Sequence, residues 1–103
     1  MSQLSHDHDL ASVTGKESDS HILVNCIGAG AQTCYMDCED ITERVYDGDV
    51  YMLCSDGLSD MCSDSEIEKT MNLTCDSNEM INFALHNGGF DNVSVVVVKV
   101  NVL

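Results

Sequence analysis

Six of the eight residues at positions 93–100 are valine, and this run restricts the fold more than any other stretch of the chain. β-Branched side chains are stiff at χ1 and pack well on a pleated surface, so the run predicts a strand. A strand needs a partner. Upstream, Asp47-Gly48-Asp49 has the composition of a turn, and Val50-Tyr51-Met52-Leu53-Cys54 then runs apolar without alternation, the pattern of a core strand covered on both faces. If the two strands are antiparallel neighbours, the end of the first and the start of the second share one edge of a sheet.

The rest of the chain reads less regularly. Residues 5–20 mix Ser, Asp, His, Gly and Lys without periodicity and predict loop. An apolar run over 22–27 ends in Gly28-Ala29-Gly30, as a strand entering a turn would, and 34–37 and 41–46 predict two further short strands. Ser63-Asp64-Ser65-Glu66 has the spacing of a capping box, which predicts a helix over 64–71 with Ile67 and Met71 inward. A second helix starts near 76–79, carries Met80, Ile81, Ala84 and Leu85 on one stripe, and stops at Gly88-Gly89. Strands, then helices, then a strand predict an α+β domain with a mostly antiparallel sheet and two helices. A chain of 103 residues is the size of one small domain, read as a loop-rich segment over 1–20 followed by the domain part over 21–103.

Eighteen acidic residues oppose four basic ones, Lys16, Arg44, Lys69 and Lys99, for a formal charge of -14. That field repels nucleic-acid phosphates and anionic membrane surfaces, so neither is an expected partner. It also opposes compaction, unless bound cations or a basic partner offset it. No apolar stretch is long enough to span a bilayer and residues 1–10 lack the apolar segment of a signal peptide, so a cytoplasmic protein is expected. The six cysteines then read as reduced thiols, with Cys26 and Cys54 as small buried hydrophobes.

Two acidic residues stand apart because each adjoins a core strand: Asp56 just after the first, Asp91 just before the second. An antiparallel pairing brings them to one sheet edge. Gly57 and Gly88-Gly89 allow close backbone approach there, and two converging carboxylates call for a positive ion between them. Hard oxygen donors suit magnesium or manganese, with Asn92 placed to hydrogen-bond a ligating carboxylate. Asp-Gly and Asp-Asn pairs are equally common in ordinary turns, and spacing by itself leaves both readings open.

Leu53-Cys54-Ser55-Asp56-Gly57-Leu58-Ser59-Asp60, followed by Gly88-Gly89-Phe90-Asp91-Asn92-Val93-Ser94-Val95, resembles the metal-dependent protein serine/threonine phosphatases of the 2C type. Leu4-Ser5-His6-Asp7-His8 is similar to that family's L-T-x-D-H segment, the stretch from His21-Ile22-Leu23 to Gly28 to the strand before its turn, and Gly48-Asp49 to the start of its core strand. The resemblance extends over about residues 4–100 and implies the C-terminal part of a phosphatase domain, a partial α-β-β-α sandwich. It implies that Asp56 and Asp91 are ligands of a two-metal centre holding Mg2+ or Mn2+, with Gly57 and Asn92 shaping and orienting it. The activity implied is hydrolysis of phosphoserine or phosphothreonine in a phosphoprotein by a metal-activated water, without a covalent enzyme intermediate.

The sequence also departs from that family. A phosphate-gripping arginine, a D-G-x-G-G segment whose aspartate bridges both metals and a G-D-S-R strand are all missing; Arg44, the sole arginine, lies in the wrong segment. Residues 11–20 are brief where many bacterial relatives carry a longer flap. The isolated chain is therefore expected to be inactive, and a complementing N-terminal segment or a homodimer is expected to cover the face left bare by half a sandwich. The alternative is a non-catalytic, phosphatase-like acidic interaction module, with the run Asp37, Glu39, Asp40 and Glu43 offered to a basic partner. His6, His8 and His21 with Asp7 and Asp9 read as a polar loop in preference to a metal cluster, and Cys34 and Cys38 lack the spacing of a redox pair.

Overall fold

The computed structural model describes residues 1–30 and 32–103. The chain divides into two compact units, Ser2–Asp40 and Ile41–Leu103, the latter including Met1. Among the described residues, no helix is long and apolar enough to cross a membrane.

The sheet of the larger unit has two strands, β1 (Val50–Cys54) and β2 (Val95–Lys99), paired antiparallel with Val50 opposite Lys99, Met52 opposite Val97 and Cys54 opposite Val95. The valine run thus forms its strand over five of the eight expected residues. Gly48, at φ 86°, supplies the left-handed backbone of the turn into β1, and the Gly48 amide donates to the Val100 carbonyl at 2.9 Å. Both strands have one face inward and one outward: Met52 and Val95 pack on the core, whereas Leu53 is 62% exposed and Val96 opposite it 57%. The expectation that β1 is covered on both faces fails here, because the helices cover a single side of a two-stranded sheet.

Between the strands lie the short helix α2 (Asp56–Ser59) and two ten-residue helices, α3 (Asp64–Leu73) and α4 (Ser77–His86). The capping box forms at α3 as its spacing predicts, with the Ser63 hydroxyl accepting from the Glu66 amide and the Glu66 carboxylate accepting from the Ser63 amide at 2.8 Å. The Asp76 carboxylate caps α4 by accepting from the Asn78 amide at 2.9 Å. At its other end the Gly89 amide donates to the Ala84 carbonyl and the Gly88 amide to the Leu85 carbonyl, the paired bonds that close a helix at glycine. Gly89, at φ 57°, adopts a conformation a side chain disfavours.

Leu58, Cys62, Ile67, Met80 and Ala84 form the buried core, with Met52, Met61, Met71, Phe83, Val93 and Val95 packed against them. Ile67 and Met71 face inward as expected. On α4 the stripe is rotated: Phe83 joins the core, while Leu85 lies at the surface, 55% exposed. The cysteines differ from expectation too. Cys62 is buried, Cys26 is half-buried and Cys54 is exposed, and all six are free thiols.

The smaller unit has little regular structure. Helix α1 (Ala11–Thr14) ends at Gly15 in a left-handed conformation, and a 3-10 turn covers Glu17–Asp19. The strand expected over 22–27 reduces to one bridge, Asp9 opposite Leu23, flanked by bonds from the Leu10 amide to the Ile22 carbonyl and from the Val24 amide to the His8 carbonyl. The strands expected over 34–37 and 41–46 are not formed among the described residues; Thr42–Arg44 is a 3-10 turn. Apolar runs become strands when a ladder partner satisfies their backbone, and none pairs with these. Mixed helix and antiparallel sheet is compatible with the α+β expectation, among the described residues in the form of one two-stranded sheet with two long and two short helices.

Candidate metal site at the end of the sheet

The ladder between β1 and β2 does not stop at Cys54 and Val95. The Ser55 amide donates to the Ser94 carbonyl at 2.9 Å, but the reciprocal bond is made by a side chain: the Ser94 amide donates to the Ser55 hydroxyl oxygen at 3.0 Å. That hydroxyl in turn donates to the Asn92 carbonyl at 3.3 Å. The segment before β2 is thereby tied to the segment after β1 at the sheet end where Asp56 and Asp91 lie.

Gly57 tightens the same junction. A methyl group built on its backbone would overlap the Asn92 carbonyl oxygen and stand 2.9 Å from the carbonyl carbon, so only glycine lets the two main chains approach this closely. On one side of Gly57, Leu58 is fully buried and anchors α2 in the core. Burying such a side chain contributes roughly 1.5–3 kcal/mol. On the other side, Asp56 is exposed. Across the junction Val93 packs on the core while Asp91 and Asn92 are exposed. Each aspartate therefore stands beside an apolar anchor that fixes its backbone, and each carboxylate is left in solvent.

The Asp91 carboxylate accepts from the Asn92 amide at 2.7 Å through Oδ1. Asn92 thus touches Asp91 through its main chain, and its carbonyl is the point on which Ser55 and Gly57 converge. Of the four residues singled out from the sequence, Gly57 and Asn92 meet at this junction, and Asp56 and Asp91 each precede one of them in the chain. Ser55 was missed; the signal that points to it is the hydroxyl just before Asp56, and its partner Ser94, which enters through its main chain, is visible only once the ladder register is known.

As a donor set, the pair consists of hard carboxylate oxygens without thiolate or imidazole, which fits part of a magnesium or manganese site. Among the described residues, no group of three or more His, Cys, Asp or Glu that could hold an ion occurs. His8 of the smaller unit is engaged otherwise. His8 Nε2 lies 2.7 Å from the Asp37 carboxylate, its Nδ1 lies 2.8 Å from the Asn25 amide nitrogen, and its ring stands 4.7 Å from that of Tyr35. Asn25 is held in turn by the Tyr35 backbone, accepting from its amide and donating to its carbonyl.

No protein-family profile matches the chain, and no solved structure matches it. Over 56 residues it is 46% identical to the serine/threonine protein phosphatase PstP of two Mycobacterium tuberculosis strains, CDC 1551 / Oshkosh and H37Rv. That stretch is 52% of this chain and 11% of the relative, so the match covers about a ninth of the length of these curated proteins. The resemblance read from the motifs and the identity to PstP agree: over these 56 residues the chain is similar to part of a serine/threonine protein phosphatase, which supports a partial 2C-type phosphatase region.

Proposed function

We propose that this chain contributes the Asp56 and Asp91 half of the metal centre of a phosphatase that hydrolyses phosphoserine or phosphothreonine in proteins. The observation that carries the reading is the junction of Ser55, Gly57 and Asn92, which joins at one sheet end the two chain segments that bear the exposed Asp56 and Asp91. Identity to PstP, a serine/threonine protein phosphatase, supports the same class of activity. When bound, a pair of Mg2+ or Mn2+ ions supplies a nucleophilic water at neutral pH and offsets phosphate charge. Asp56 and Asp91 would hold the ions. Asn92 holds the Asp91 carboxylate through its amide, and Gly57 keeps room for the Asn92 main chain.

The isolated chain is inactive on this reading, because the bridging aspartate and phosphate-gripping arginine that the resemblance implies are absent from its sequence. A complementing segment carrying both completes the centre in a cytoplasmic phosphatase, and that segment or a second copy covers the face left bare. The test is titration of the chain with magnesium and manganese followed by NMR, with Asp56→Asn and Asp91→Asn as controls. We expect localised magnesium shifts at Asp56, Gly57, Asp91 and Asn92 that both substitutions abolish, with no turnover of a phosphoserine peptide. Magnesium that moves nothing at these residues, with manganese broadening the acidic surface uniformly, rejects the metal reading and favours an acidic interaction module.

A further inference from the structure

Ser55 occupies the N-cap of α2, with φ -78° and ψ 165°, yet its side chain makes no cap hydrogen bond. A serine at that position ordinarily turns its oxygen to an amide in the first helical turn. Here the oxygen is turned the other way. It accepts from the Ser94 amide and donates to the Asn92 carbonyl, residues 39 and 37 positions away. The hydroxyl takes the place a main-chain carbonyl would hold in the ladder, and adds a second bond that a carbonyl, having no proton, could not make. Both bonds act on the short segment that carries Asp91.

We propose that Ser55 is a positioning residue for the Asp56 and Asp91 pair, its hydroxyl setting the distance between the two backbone segments that bear the carboxylates. This rests on the metal reading of that pair for its purpose. Its geometry can be tested without metal. Gly57 sets how close the Asn92 main chain can come, since any side chain there would collide with it. Ser55 sets how far the chain can move away, since retreat breaks the bonds to Asn92 and Ser94. Together they hold the Asn92 carbonyl between a steric stop and a tether. The carboxylates themselves remain free for a ligand, because neither is used in the tether. A hard cation that tolerates little distortion of its oxygen shell requires donors held in this way.

Ser55→Thr and Ser55→Val test this, because the two substituents have nearly the same shape and differ in the hydroxyl. Without metal, Ser55→Val is expected to speed Ser94 amide exchange at least about tenfold and to shift the Asp91 and Asn92 resonances, while Ser55→Thr keeps both near wild type. With magnesium, Ser55→Val is expected to weaken binding about tenfold or more relative to Ser55→Thr. Ser55→Ala removes the same oxygen without added bulk and replaces the valine variant if that one does not fold. Equal Ser94 exchange and equal Asp91 shifts in the threonine and valine variants overturn the proposal. So does a chain unfolded by both valine and alanine, which would make the hydroxyl a determinant of the fold. If the metal-free differences appear but wild type shows no magnesium shifts at Asp56 and Asp91, the metal reading fails and the tether stands.

Discussion

Cys62 shows how a single side chain couples the core to pH. It is buried between α2 and α3, next to the Glu66 side of the helix start, and the Asn87 amide donates to its sulfur at 3.8 Å. Burial pushes its thiol above the ordinary value of 9.0, and the Glu66 charge pushes the same way, while the Asn87 hydrogen bond pulls it down. The fold therefore favours the neutral thiol. Its contribution is fully present below the unfolded value near 9.0 and is lost as pH rises through the higher folded value. Cys54 is raised by desolvation and adds in the same direction. The urea midpoint is expected to fall between about pH 8 and about pH 10, and to fall less steeply in Cys62→Ala; equal slopes in the two proteins would remove Cys62 as a source. Asp56 and Asp91 were legible as acidic residues beside two strands. The tether was not, since a serine at a helix start looks like a cap until its partner 37 residues on is known.

At the scale of elements, the helices that formed as expected carry their own boundary signals. Ser63 and Glu66 start α3 through two bonds within one turn, and Gly88-Gly89 end α4 through another two. Such signals act over four or five residues and are visible in any sequence. The seating of α2 against the start of β2 is different, since it depends on the absent side chain of Gly57. Gly57→Ala is expected to lower stability by about 1–3 kcal/mol, because the neighbour it meets is backbone and cannot rotate aside. Urea denaturation checks this; a midpoint within error of wild type would mean that the Asn92 main chain is not held closely. The strands expected in the smaller unit failed for the opposite reason. Val24 and Ile27 have the right composition, but Ile27 is 94% exposed, and beyond the Asp9–Leu23 bridge no ladder takes up their backbone.

At the scale of the whole molecule, a formal charge of -14 acts on a chain whose buried core, among the described residues, is five residues. Self-repulsion of that size opposes compaction, and the ion pair of the Met1 amino group with Glu68 at 2.8 Å is exposed and offsets little of it. Raising ionic strength from about 0.01 M to about 0.15 M shortens the screening length from about 30 Å to about 8 Å, so the melting temperature is expected to rise. A melting temperature that falls or stays constant would show that close pairs outweigh the net charge. The sequence by itself determined β1, β2, α3 and α4, because valine runs, capping boxes and paired glycines act locally. It also set Asp56 and Asp91 beside two strands expected to be antiparallel neighbours, and the strands do pair antiparallel. Tertiary structure alone decided which face of each strand meets the core, that Cys62 and Phe83 pack inward where Cys54 and Leu85 do not, and that the Ser55 hydroxyl serves a neighbouring strand in place of its own helix. Burial and hydrogen-bond partners of that kind are set by residues far away along the chain, and local pattern carries no record of them.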